Sequence, residues 1–151
     1  MLNQGNAIMR HLAYKYNCEP TEEMSQFTAD WVMETIADFW CEPHGMMFFA
    51  PDVAPESETQ KMTDCLARCS EQLNKKLADG RAHIAGEKVS YADFAILALY
   101  DSFMHNVNSS KPEYLERNKK ACEGNAHLMK YLESMRAMMK SYLDNRPKCS
   151  V

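Results

Sequence analysis

The stretch Val89-Ser90-Tyr91-Ala92-Asp93-Phe94 constrains this chain more than any other, because it writes a complete helix start into six residues. Ser90 is placed to cap the first backbone N–H groups. Asp93, three positions on, reaches back to the Ser90 N–H, and Val89 packs on Phe94 across the turn. This is a capping box with a hydrophobic staple. The helix it opens, from Asp93 to Val107, is apolar almost all round through Phe94-Ala95-Ile96-Leu97-Ala98-Leu99-Tyr100. A helix of that kind is stable only when covered on every side, so it is expected at the centre of a helical bundle.

The rest of the chain supplies the helices that would cover it. Asn6 to Tyr16 places Ile8, Met9, Leu12, Ala13 and Tyr16 on one side and stops at Asn17-Cys18-Glu19-Pro20. From Glu22 to Trp40, Met24, Phe27, Trp31, Val32, Thr35, Ile36 and Phe39 recur at three and four, as an amphipathic helix requires. A loop with three prolines from Pro43 to Pro55 follows, and it carries the apolar run Met46-Met47-Phe48-Phe49. Ser57 to Asp79 is a further helix with Met62, Leu66, Cys69, Leu73 and Leu77 inward, closed by Gly80 as a left-handed stop. Ser110-Lys111-Pro112-Glu113 reads as a second capping box opening a short helix to about Glu123-Gly124. The last helix is expected from Asn125 to Asp144, with Leu128, Tyr131, Leu132, Met135, Met139, Tyr142 and Leu143 inward. Nothing alternates like a strand, and the fold class is all-α.

Composition bounds the partners. Seventeen basic and twenty-one acidic residues in 151 give a net charge of −4 with no basic run, which argues against nucleic acid and anionic membranes. No apolar run approaches the roughly 20 residues of a membrane span, and Met1-Leu2-Asn3-Gln4 does not resemble a signal peptide, so a soluble intracellular, most readily cytoplasmic, protein is expected. Cys18, Cys41, Cys65, Cys69, Cys122 and Cys149 form no C-x-x-C pair, and His11, His44, His83, His105 and His127 are scattered; no metal or cofactor is expected. Cys65 and Cys69, one helical turn apart on an apolar stripe, read as small buried hydrophobes.

Preceded by Ala82-His83-Ile84-Ala85-Gly86-Glu87-Lys88, the helix start at Ser90 resembles the signature of the C-terminal helical domain of cytosolic glutathione transferases. Gln4-Gly5-Asn6-Ala7-Ile8-Met9-Arg10-His11-Leu12-Ala13 resembles the segment that ends that family's thioredoxin-like domain, and Met139 to Pro147 is similar to its closing motif. The wording around Gly86 to Phe94 leans toward the sigma- and mu-like classes. The resemblance implies residues 1–17 as the residual last helix of a thioredoxin-like domain and 18–151 as a glutathione-transferase C-terminal-like helical bundle. In the family, a Gln-Ser pair holds the γ-glutamyl end of glutathione. Gly5 stands where that Ser would be, leaving Gln4 and Gly5 as a vestigial position at which glutathione is not expected to bind tightly. The family's catalytic Tyr, Ser or Cys lies near its first strand, and a β-α-β unit of roughly 30 residues has no room before Gln4, so no catalytic residue is assigned.

The resemblance also implies that Met24, Phe27, Trp31 and Thr35 contribute to a substrate pocket and subunit interface, although an aromatic stripe at this spacing is also what core packing looks like. Tyr91, Tyr100, Tyr131 and Tyr142 have no readable partner that would make a phenol a nucleophile. The function expected from these observations is a non-catalytic scaffold subunit of a larger assembly, bound to other protein chains through Trp31, Phe48 and Phe49 and the open side of the first helix. The alternative is a glutathione-transferase-like enzyme whose thioredoxin half is truncated or supplied by another chain, and a small-molecule carrier is a third reading.

Overall fold

The capping box, the prolines and the glycines set the helix boundaries, and hydrophobic spacing sets which faces meet. The structure, a computed structural model, describes residues 4–41 (backbone alone at 40 and 41), 56–109 and 112–147. Among them the chain is all-α: α1 Gly5–Lys15, α2 Glu23–Cys41, α3 Glu56–Lys76, α4 Tyr91–Met104, α5 Pro112–Cys122, α6 Ala126–Met138 and α7 Lys140–Asn145. Met46 to Phe49 and the pair Ser110 and Lys111 lie outside the described residues.

The central helix is α4. Ser90, in extended backbone conformation, is its N-cap, so the helix begins at Tyr91 rather than Asp93. It ends at Met104, three residues before the expected Val107, which is exposed. Most of its residues are buried on both sides, from Tyr91, Ala92 and Asp93 to Phe103 and Met104, with Ala98 open to solvent. Helices α1, α2, α5 and α6 all pack against it, and α3 closes the bundle against α2, α5 and α6. Phe39 of α2 meets Phe103 of α4 edge to face, with ring centroids 5.2 Å apart and planes at 73°. Such a pair adds about 0.5–1.5 kcal/mol to the burial of each ring.

Glycine and asparagine end two helices by the same device. Gly80, at φ 82°, turns the chain after α3 and donates its N–H to the Leu77 carbonyl at 3.0 Å. Asn17, at φ 54°, does so after α1, and the Cys18 N–H then closes on the Ala13 carbonyl at 2.8 Å.

Three faces differ from the sequence expectation. On α2 the buried stripe is Thr28, Ala29, Val32, Met33, Ile36 and Phe39, whereas Met24 and Phe27 are 60% and 63% exposed. The small Ala29 and Thr28 lie against the bundle in place of the larger pair, Thr28 spending its hydroxyl on the Met24 carbonyl at 2.8 Å. On α1, Ala13 is buried but Leu12 and Tyr16 are exposed. The last helix is two: the backbone loosens at Met139 (φ −94°, ψ 12°), separating α6 from α7, and Tyr142 faces solvent.

Candidate functional site

The loop before α4 and the helix itself converge on one buried carboxylate. Asp93 is fully buried, and its Oδ2 accepts the Ser90 N–H at 2.7 Å and the Ser90 hydroxyl at 2.8 Å. Its Oδ1 accepts the Ile84 N–H at 2.8 Å and the Tyr131 hydroxyl at 2.6 Å. The capping box therefore also ties the 83–86 turn and helix α6 to the start of α4. Val89 and Phe94 are half-buried against the core beside it. Four donors saturate this carboxylate, which has no free lone pair to offer a substrate.

A second junction joins α1, α2 and α4. Arg10 of α1 donates from Nε to Asp30 Oδ1 at 3.0 Å and from Nη2 to Glu34 Oε1 at 3.3 Å. From the other side the Tyr91 hydroxyl donates to the same Asp30 oxygen at 2.9 Å. The ion pairs are half open to solvent and contribute little alone, but Tyr91 is only 4% exposed and gives the junction a rigid anchor. Burial, then the Asp30 carboxylate, pushes the Tyr91 phenol up to about 12 from the ordinary 10.0. The neutral phenol is thus the form the fold favours, so its contribution is complete below about pH 10 and is lost as pH rises through about 12. Tyr91→Phe should therefore lower stability by about 1 kcal/mol at neutral pH and reduce the alkaline loss, as read from denaturation midpoints at pH 7 and pH 11. Parallel pH profiles for the two proteins would contradict this.

The N-termini of α1 and α2 differ chemically. At α2 the Glu22 carboxylate accepts the Met24 N–H at 3.1 Å and the Ser25 N–H and hydroxyl at 2.8 Å each, which lowers its pKa. That N-terminus is occupied by the chain's own anion. At α1 the N-cap is Gln4, held at φ 68° and ψ 107°, and no described side chain caps the helix or adds an acid to its first turn. Among the described residues, no side chain occupies the first N–H groups of α1. A Cβ built on Gly5 meets nothing within 4 Å, so the position is not glycine for want of space.

The buried phenols of Tyr100 and Tyr131 and the buried thiols of Cys69 and Cys122 are held in their protonated forms. Tyr100 donates to Ser70 Oγ at 2.7 Å, because the single Ser70 proton goes to the Leu66 carbonyl at 2.7 Å; burial pushes the phenol well above its ordinary value. Tyr131 is likewise raised by burial and by the Asp93 charge. Cys65, Cys69 and Cys122 are buried free thiols; burial, with Cys65 alongside, raises Cys69 to about 12, and burial raises Cys122. All four groups shift away from the reactive, ionised form. Trp31 is half-buried against the core, and Phe48 and Phe49 lie outside the described residues. Among the described residues, no three or more His, Cys, Asp or Glu side chains group to hold a metal ion, and no helix is long and apolar enough to cross a membrane.

The family profile described as "Glutathione S-transferase, C-terminal domain" matches residues 37–136, well over half of the sequence. The chain belongs to that family. Glutathione S-transferase 2 of Onchocerca volvulus is 31% identical to this transferase-family chain over 98 residues, covering 65% of the chain and 47% of the relative. A glutathione S-transferase of Plasmodium yoelii yoelii is 27% identical over 117 residues, covering 77% and 52%. The chain spans about half the length of these curated relatives. In three dimensions it resembles the glutathione S-transferase from Ascaris lumbricoides with a TM-score of 0.77 and 22% identity, over 98% of this chain and 70% of that one, a likeness of fold. These findings overturn the expectation of a non-catalytic scaffold subunit. The relatives are named as glutathione S-transferases, which favours the transferase-like reading that stood as its alternative.

Proposed function

We propose that this chain contributes the helical half of a glutathione-dependent transferase, which works together with a thioredoxin-like half. The observation that carries this reading is α1. It stands outside the matched 37–136 stretch, is fixed to the helical domain by Arg10 and by Tyr91 through Asp30, and presents an N-terminus that no described side chain caps. A carboxylate docking there meets backbone N–H groups at the positive end of the helix dipole, which suits the γ-glutamyl end of glutathione. The second substrate class is an electrophile. The thiol-activating hydroxyl or thiol comes from the thioredoxin-like half, since the phenols of Tyr91, Tyr100 and Tyr131 and the thiols of Cys69 and Cys122 are held away from their ionised forms.

This reading gives Gly5 a measurable consequence. With the thioredoxin-like half of the Onchocerca volvulus relative joined ahead of Gln4, Gly5→Ser should tighten glutathione binding about tenfold. A Cβ at position 5 meets no described atom within 4 Å, and the hydroxyl it carries adds a hydrogen bond to a charged group, about 1.5–3 kcal/mol gross. Calorimetric titration of the two folded proteins measures it. Equal affinities, or no binding in either, would place the carboxylate elsewhere.

A further inference from the structure

Asp101 is buried in the last turn of α4, 2% exposed, and among the described residues it is the carboxylate that pairs with both Arg136 and Arg146. Arg136, inside α6, pairs with Oδ1, and Arg146, just past α7, pairs with Oδ2. The two arginines differ in what else holds them. Arg136 belongs to a helix anchored by buried Leu128, Tyr131, Leu132 and Met135. Arg146 closes a six-residue helix that has no buried residue and follows the loosened backbone at Met139. A helix of that length has no stability of its own in water. Pro147 determines where Arg146 points: the residue before a proline is driven out of helical conformation, and Arg146 is extended at φ −64° and ψ 152°. The chain therefore stops coiling at Asn145 and delivers its guanidinium to α4.

We propose that residues 140–147 form a releasable strap, clasped to the bundle by Arg146 on Asp101, and that Arg136 keeps that carboxylate paired whenever the strap is off. A buried carboxylate stripped of every partner is strongly disfavoured, so a strap held by its sole counter-ion could leave only with the whole fold. The second arginine removes that obstacle. Release exchanges a shared carboxylate for one held by Arg136 alone, and it uncovers the half-buried Met139 and Leu143 at the hinge and on the strap. The two guanidinium groups compete for one charge, so weakening either should strengthen the hold of the other.

Amide hydrogen exchange on the full chain, resolved over residues 142–146 and 95–103, tests this. Arg146→Gln should speed exchange in 142–146 about tenfold or more while leaving 95–103 and the thermal midpoint near wild type. Arg136→Gln should act in the opposite direction on the strap, slowing 142–146, because Arg146 becomes the only partner of Asp101. Raising potassium chloride on the wild-type protein should speed 142–146 selectively, since the strap's arginine is partly in solvent; this arm holds if a variant does not fold. If both substitutions speed exchange in the strap and in α4 together, the three residues form one structural ion cluster and no strap exists. No change in 142–146 with Arg146→Gln and with salt would overturn the clasp itself.

Discussion

Replacing Asp93 with alanine should lower the stability of the domain by about 3–5 kcal/mol, several times the roughly 1 kcal/mol of an ordinary exposed cap. The difference lies in what the carboxylate leaves behind. The Ser90 and Ile84 N–H groups, the Ser90 hydroxyl and the Tyr131 hydroxyl all donate to it in a fully buried setting. Each buried donor stripped of its acceptor loses about 1–3 kcal/mol, less whatever water enters the vacated space. For a domain of this size the thermal midpoint should fall by roughly 10 °C. Tyr131→Phe removes one donor and leaves the acceptor satisfied by the others, so it should cost only about 1 kcal/mol. Urea denaturation with unchanged slope measures both. A midpoint for Asp93→Ala within about 1 kcal/mol of wild type would mean that the site relaxes or hydrates freely and that Asp93 does not organise the start of α4.

The contrast between these two substitutions follows what is legible in the sequence. The Ser90–Asp93 pairing is written three residues apart and needs no tertiary knowledge. Ile84 and Tyr131 reach the same carboxylate from nine and thirty-eight positions away, and no local pattern announces them. The burial of α4 is legible for a related reason: a helix apolar on all sides has only one place to go. The rotation of α2 is not. Large side chains dominate a hydrophobic stripe on paper, but close packing at a helix crossing is decided by size, and Thr28 and Ala29 go in while Met24 and Phe27 stay out. The break at Met139 leaves no proline or glycine in the sequence to mark it. At the candidate site, the glycine at position 5 is legible as a missing hydroxyl, while Asp30, held at once by Arg10 and Tyr91, depends on contacts across twenty and sixty-one residues.

Catalysis provides the other large effect. The isolated chain should react glutathione with an aryl halide no faster than the uncatalysed solution. The phenol of Tyr91, pushed up to about 12, and the still higher phenols of Tyr100 and Tyr131 cannot take a proton from a thiol near neutral pH, and Asp93 is saturated. Joined through Gln4 to a thioredoxin-like half that brings the activating group, the same helices should support turnover at least about a hundredfold faster, the lower end of what a positioned acid or base contributes. Weakening the α1 junction with Tyr91→Phe should raise the KM for glutathione more than it lowers kcat, because Tyr91 positions the helix that receives the carboxylate and touches no reacting atom. The most direct measurement is therefore initial-rate conjugation of an aryl halide by the isolated chain and by the joined protein, at equal concentration and with both shown to be folded. The account predicts background rate for the first and saturable, glutathione-dependent turnover for the second. Saturable turnover by the isolated chain, or a folded joined protein that binds glutathione and stays at background, would contradict it.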